Sequence, residues 1–259
     1  MRRSKHHFDP RREKRLHARE LLYLPWRKVA PPIDERSDLP NRTLLTAVGD
    51  AYRALRTGIL LSRSETSPKT ILFTSAAAGE GKSWTVTSTA IIFAQMVDRV
   101  LLIDADLRRP RCHTALKIDK SPGLTEVLTG YEELANAIQP TSIKGLYLLS
   151  AGLNPPNPTE LLGSTKMRAI LAEAAASFQH VLIDSPAILP LSDAVVLSRL
   201  ADGVVVIASA QTARPLVREA CSRLIHVGAN LLGVVLNNVY PQHQRYSDTY
   251  NSYATKLAS

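Results

Sequence analysis

An apolar run, Ile71 to Phe73, opens the stretch TILFTSAAAGEGKSWTV and feeds a loop of small residues ending in Gly81-Lys82-Ser83. Few folds accommodate that order, because a buried strand must hand the chain to a helix whose first turn carries Lys and Ser. Backbone N–H groups of an Ala/Gly loop can wrap anionic oxygens, Lys82 can reach β/γ-phosphates, and the Ser83 hydroxyl can ligate Mg²⁺. The helix beginning near Lys82 points its positive end at the same phosphates. The relaxed phosphate-loop pattern is met with Ala76 in first place. Candidate nucleotide contacts are therefore Ala78, Gly79, Glu80, Gly81, Lys82, Ser83 and Trp84; a merely structural glycine loop is the competing reading.

Two further apolar runs end in acids. RVLLIDADLRRP sets Asp104, Asp106 and Arg108 at alternating positions after Val100–Ile103, and HVLIDSPAILPLSDA ends its run at Asp184. In a parallel sheet the ligand crevice lies at the carboxyl ends of the strands, so acids placed there can meet phosphates bound after the first strand. One such Asp is weak evidence, since strand ends often carry a helix-capping Asp. Three acids at two strand ends, beside a phosphate loop, favour a metal site.

The apolar periodicity predicts strands near 70–75, 99–104, 146–150, 180–184, 203–208 and 232–236, alternating with helices near 82–96, 164–177, 191–200 and 213–226. Strands such as GVVVIA are apolar throughout, as expected where helices cover both faces of a parallel sheet. A doubly wound α/β fold of P-loop NTPase type follows. Ahead of it, a helical pattern from Thr43 through Leu44, Leu45, Val48, Tyr52, Leu55 and Ile59 leaves Arg53 and Arg56 on an adjoining face. The Pro- and charge-rich APPIDERSDLPNR marks a linker. The expected division is a basic arm and linker at 1–42, the nucleotide-binding domain at 43–239, and a tail at 240–259.

The segments AAAGEGKS, LLIDADLRRP and VLIDSPAILPLSDA resemble the Walker A, second Walker A-type and Walker B segments of the bacterial tyrosine kinases, the capsular and exopolysaccharide autokinases. The likeness continues through DAYRALRTGI, PGLTEVLTG, LYLLSAGLNPPNPTELLGS and LLGVVLNNV, covering about 200 residues. It implies ATP and Mg²⁺ as cofactors, with Lys82, Asp104, Asp106 and Arg108 in catalysis and Ser83, Asp106 and Asp184 on the metal. Asp104 is the leading candidate to orient or deprotonate a phenol, with the Asp104/Asp106 roles interchangeable. Arg108 assists the phosphates or anchors its own loop. Asn237, first of the Asn pair ending the last strand, is expected to face the base. Asp50, Arg53 and Arg56 correspond to a motif that joins subunits into a ring, and a membrane-embedded polysaccharide copolymerase is the implied activator. The sequence departs from the family where Asp50 replaces Glu, Ala187 follows Pro186, and Ser88 takes a position often filled by Asn.

The chain of 259 residues is 45% hydrophobic and 21% charged, a soluble globular balance. Cys112 and Cys221 fit no metal or redox spacing, and a reducing compartment is the simple inference. With neither a long apolar run nor an apolar N-terminal signal core, the chain is expected in the cytoplasm, meeting the membrane through a partner. Residues 1–28 hold ten Lys/Arg against three acids, a net +7 of the chain's formal +9. Such an arm is read as solvated or as attracted to anionic lipid, with Leu21, Leu22, Leu24 and Trp26 as an interfacial anchor. No nucleic-acid module accompanies it.

The tail carries Tyr240, Tyr246, Tyr250 and Tyr253, four of eight tyrosines. The resemblance makes Tyr246, Tyr250 and Tyr253 phosphoacceptors, presented to a neighbouring subunit; their i, i+4, i+7 spacing equally suits a docked amphipathic helix. A ParA/MinD-like ATPase is the second enzyme reading, opposed by Ala77 where such proteins carry an extra Lys. A nucleotide-dependent scaffold of an export complex is the third.

Overall fold

The computed structural model describes residues 27–28, 47–62, 67–97 and 99–238. Tyr246, Tyr250 and Tyr253 lie outside the described residues, as does most of the basic arm. The elements are β1 (Arg27–Lys28), α1 (Ala47–Leu60), β2 (Thr70–Ser75), α2 (Lys82–Ala94), β3 (Val100–Asp104), α3 (Cys112–Leu116), α4 (Leu124–Thr129), α5 (Leu134–Ala137), β4 (Ile138–Pro140), β5 (Leu146–Leu149), α6 (Pro158–Leu162), α7 (Thr165–Ser177), β6 (His180–Asp184), α8 (Asp193–Ser198), β7 (Gly203–Ser209), α9 (Arg214–His226) and β8 (Leu231–Asn237).

The strands form one sheet in the order β1-β8-β7-β2-β6-β3-β5-β4, parallel except that β4 runs antiparallel to β5. The strands β2, β3 and β7 are buried along their whole length, which requires a layer on each face. On one face, Tyr52, Leu55 and Ile59 of α1 and Val86, Ile91 and Phe93 of α2 pack on Ile71, Phe73 and Leu102. On the other, α7, α8 and α9 supply Ile170, Leu197 and Leu224 against Leu72, Ile183 and Val206.

The six expected strands and four expected helices are present, shifted by up to two residues at their ends. The structure adds what periodicity could not resolve: two short strands and four helices of four to six residues. Arg27–Lys28, assigned from sequence to the arm, pair in parallel with Val235 and Leu236 at the sheet edge.

Strand order decides where the site forms. β2 lies between β6 and β7, and β6 lies between β2 and β3, so the carboxyl ends of β2, β3 and β6 are neighbours. In register, Phe73 faces Asp184 and Asp184 faces Asp104. The chain leaving β2 enters the phosphate loop directly above the two acids.

The Ser88 departure is absorbed by packing. Tyr52 is 1% exposed between α1 and α2, and burial pushes its phenol up to about 12 against a hydrogen bond with Ser88. We expect Tyr52→Ala to destabilise the fold by about 3–5 kcal/mol and Tyr52→Phe by about 1 kcal/mol, read from urea unfolding. Equal midpoints for wild type and Tyr52→Ala would show that α1 is not docked on α2.

Candidate nucleotide and phosphotransfer site

The loop from Ala76 to Gly81 owes its shape to two left-handed glycines, Gly79 at φ +82 and Gly81 at φ +81. A Cβ on Gly81 would lie 2.1 Å from Asn237 Nδ2, so glycine is required there on space as well as on φ. Ala78 and Gly79 form the exposed crest, while Glu80 turns inward and is 3% exposed. Its carboxylate accepts from Ala77 N–H (2.8 Å) and from the Thr212 hydroxyl, tying the loop to itself and to the turn after β7. Asn237 Nδ2 donates to the Glu80 carbonyl at 3.0 Å. Asn237, expected at the base, thus spends one amide hydrogen framing the loop from behind.

Lys82 begins α2, and its ammonium is the meeting point of the site. Nζ lies 2.9 Å from Asp184 Oδ1, 3.3 Å from Ser83 Oγ and 3.9 Å from Asp106 Oδ2. Burial alone would depress its protonation, but the carboxylates of Asp184 and Asp106 outweigh that and hold it above the ordinary range. Trp84 packs its indole with the α1-side core. What it offers the loop is its main chain, in the helical turn whose N–H groups begin without intrahelical partners.

Asp104 is 0% exposed. Its oxygens accept from the N–H groups of Cys112 (2.9 Å), Arg111 (3.0 Å) and Asp106 (3.3 Å), folding the DADLRRP loop around the carboxylate. Burial first, then the neighbouring charge of Asp184, pushes its carboxyl up to about 7 in spite of the Cys112 N–H. Asp106 caps the same loop by accepting from Arg109 N–H at 3.0 Å and, unlike Asp104, is partly exposed.

Arg108 points elsewhere. Its Nε donates to Asp193 Oδ2 at 2.8 Å and its Nη2 to Thr159 Oγ1 at 3.3 Å; Asp193 is fully buried. Of the two roles open from sequence, these contacts serve loop anchoring, joining the DADLRRP loop to the starts of α6 and α8. The Ala187 departure leaves the third segment laced to β2 and the loop, through Ser185 N–H to Phe73 O (3.2 Å) and Ile188 N–H to Ser75 O (2.8 Å). Asp50 pairs with Arg53 within α1 at 2.7 Å, and Arg56 Nη1 donates to Ile92 O near the end of α2 at 2.9 Å.

Sequence reasoning missed Cys112 and Asp193. The Cys112 thiol lies 3.6 Å from Asp184 Oδ2, and burial with Asp104 and Asp184 beside it raises it well above the usual thiol range. It therefore stays a protonated donor. No spacing rule connects it to Asp184, 72 positions on. Asp193 was visible as a helix-start acid, but its pairing with Arg108 needs the tertiary fold.

Ser83, Asp106 and Asp184 present only oxygens and already converge on one cationic group, the Lys82 ammonium. That donor set suits Mg²⁺, a hard ion. The buried trio Asp104, Cys112 and Asp184, whose ligand atoms lie within 4.8 Å of one another, includes a sulfur that does not.

The AAA domain family matches residues 68–226. The chain is 39% identical over 208 residues to the tyrosine-protein kinase YwqD of Bacillus subtilis (strain 168), covering 80% of this chain and 86% of that one. It belongs to the bacterial tyrosine-protein kinases. The tyrosine-protein kinase etk of Escherichia coli (strain K12) is 35% identical over 192 residues, 73% of this chain but 26% of the longer relative. The solved kinase domain of Escherichia coli ETK superposes with a TM-score of 0.81 at 29% identity, covering 88% of this chain and 95% of that one. The protein is thus a protein-tyrosine kinase on a P-loop NTPase fold, and the ATPase fold class read from sequence is the one observed.

The buried acid makes stability depend on pH with a definite sign. Asp104 keeps its proton in the folded state up to about 7, whereas the unfolded chain releases it near 3.8. Its contribution is fully present below 3.8 and is lost as pH rises through 7. In Mg²⁺-free buffer, the unfolding free energy of wild type minus that of Asp104→Asn should fall from pH 4 to pH 7 and then level off. A difference that rises over this interval would show that the carboxyl is ionised in the fold.

Proposed function

We propose that this kinase takes its phosphoryl group from ATP with Mg²⁺ and delivers it to Tyr246, Tyr250 and Tyr253, chiefly between subunits, as a regulator of capsular or exopolysaccharide synthesis and export. The observation that carries the reading is the convergence of Ser83, Asp106 and Asp184 on the Lys82 ammonium at the ends of β2, β3 and β6. Phosphoryl transfer needs charge stabilisation and alignment more than covalent chemistry, and this site concentrates both. Lys82 and the loop amides neutralise β/γ oxygens. Ser83, Asp106 and Asp184 would hold Mg²⁺, which when bound supplies charge neutralisation at the phosphates. The tyrosine oxygen bonds to the γ-phosphorus as the bridging bond to the β-phosphate breaks, leaving ADP and passing the phenolic proton to Asp104. A carboxyl near 7 suits that task better than an ordinary one, and proton transfer is late because the phenol is weakly acidic. The reading makes one geometric demand: a Cys112 or Arg111 amide must release an Asp104 oxygen as the phenol arrives.

Asn237 is proposed to present its remaining amide groups to the base, and Arg108 to keep the DADLRRP loop in place. Residues 1–28 supply cations for an anionic membrane surface, and a membrane-embedded copolymerase is the proposed activator. The protein is placed at the cytoplasmic side, where it would meet both. Among the described residues no helix is long and apolar enough to cross a membrane.

Lys82→Met should lower autophosphorylation by about two to three decades, the loss of one transition-state contact of roughly 3–4 kcal/mol, with far-UV circular dichroism still that of a folded chain but a lower unfolding midpoint, because buried Asp184 loses its partner. Mixed with an active protein whose Tyr246, Tyr250 and Tyr253 are Phe, the Lys82→Met chain should acquire phosphate on its own tail. The twenty residues beyond Val239 reach at most about 65–70 Å, enough for a neighbouring site. Label confined to wild type would mean transfer within one chain; wild type unlabelled on the tail would remove these tyrosines as substrates.

Assembly is proposed through α1. Arg53 and Asp50 are half exposed on its outer side, where they can exchange their internal pair for one across subunits. Replacing Arg53 and Arg56 together by Ala should lower the mass seen by light scattering under conditions where wild type is oligomeric. Unchanged mass would exclude this interface.

A further inference from the structure

Among the described residues, the sheet edge beside α1 leaves room for a further length of chain. β8 spans Leu231–Asn237, yet its outer edge is paired among the described residues only at Val235 and Leu236, by the two residues of β1. Below that point a groove of about 70 Å³ opens between α1 and β8, lined by Leu55, Gly58 and Ile59 on one side and Val205, Gly233 and Val235 on the other. Gly233 marks its floor: a Cβ built there meets nothing within 4 Å. Among the described residues the rest of that edge has ladder N–H and C=O groups without a strand partner beside an apolar hollow, groups that an added length of chain would satisfy and cover.

We propose that residues 21–26, LLYLPW, fill this groove by extending β1 backwards along β8. Strand register supplies the argument. Arg27 pairs with Val235 and Lys28 with Leu236, so in a parallel ladder Trp26 and Pro25 fall opposite Val234 and Gly233, the last residue before the irregularity in β8 at Leu232. Paired residues share a face, and Val235 belongs to the α1-side core, so Pro25 lies over the empty Cβ position of Gly233. Trp26 takes the other face, beside Val234 of the α9-side core. Pro is compatible with an edge strand, where an N–H can be dispensed with. Composition agrees: residues 21–26 carry no charge, whereas residues 1–20 carry eight Lys/Arg. The apolar residues read from sequence as a lipid anchor thus become part of the kinase body, and the cations ahead of them are presented from its edge beside α1. The inference rests on register and the groove, independently of the proposed substrate.

Hydrogen exchange by mass spectrometry on the full chain tests it. Amides in 21–28 should exchange at least about tenfold more slowly than unstructured rates, unchanged by protein concentration or by phosphatidylglycerol vesicles. Gly233→Ile, which occupies the groove, should remove that protection while β2 and β7 keep theirs. Leu24→Glu with Trp26→Glu should do the same without altering the folded body. Unstructured rates in wild type overturn the proposal, as does protection that survives Gly233→Ile. Protection appearing only with vesicles assigns the segment to lipid, and protection that grows with concentration assigns it to a second copy; either outcome overturns docking within the chain.

Discussion

The arrangement depends on one ammonium held among carboxylates at the end of three strands. Asp104 and Asp184 are both fully buried and adjacent in register, an arrangement that two ionised acids in a dry interior would not tolerate. Lys82 meets Asp184 directly, three main-chain N–H groups meet Asp104, and the Cys112 thiol meets Asp184 from the far side. The remaining imbalance is settled by the raised proton affinity of Asp104. The strand order brings the acids together, and the loop following β2 supplies the cation.

A second set of buried acids works away from the Lys82 cluster. Glu80 is turned inward and fixes the phosphate loop to the turn after β7; Asp193 fixes Arg108 and with it the loop carrying Asp104 and Asp106. Each removes freedom from a loop that must hold its shape without a ladder. The backbone of the loop is then left to face outward, with Ala78 and Gly79 at its crest. The departures Ser88 and Ala187 are tolerated for the same reason: the packing of Tyr52 and the main-chain bonds of Ser185 and Ile188 do not need the more usual side chains.

The sheet and the main helices were legible because their signal is periodic and long. The phosphate loop, Asp104, Asp106 and Asp184 were legible because they sit where apolar runs stop. The two residues of β1, the three of β4 and the single helical turn of α3 carry too few periods to register. Partnerships were illegible wherever they join distant segments: Arg108 to Asp193, Glu80 to Thr212, Cys112 to Asp184. Asn237 shows the limit on a single residue. Its place at a strand end was readable, but its bond to the Glu80 carbonyl depends on how closely Gly81 lets the two approach.

In the observed arrangement Lys82 is committed to Asp184, and on the proposed mechanism it must serve phosphate oxygens instead. Withdrawing the ammonium alone would leave a fully buried carboxylate unpaired, a strongly unfavourable state. A divalent cation on Ser83, Asp106 and Asp184 would take over that neutralisation at the moment Lys82 turns toward the nucleotide. Nucleotide and metal would then each lower the cost of binding the other, a coupling that is reciprocal by thermodynamic necessity. On the proposed mechanism, the ion pair at 2.9 Å would be given up only as a metal ion takes its place on Asp184.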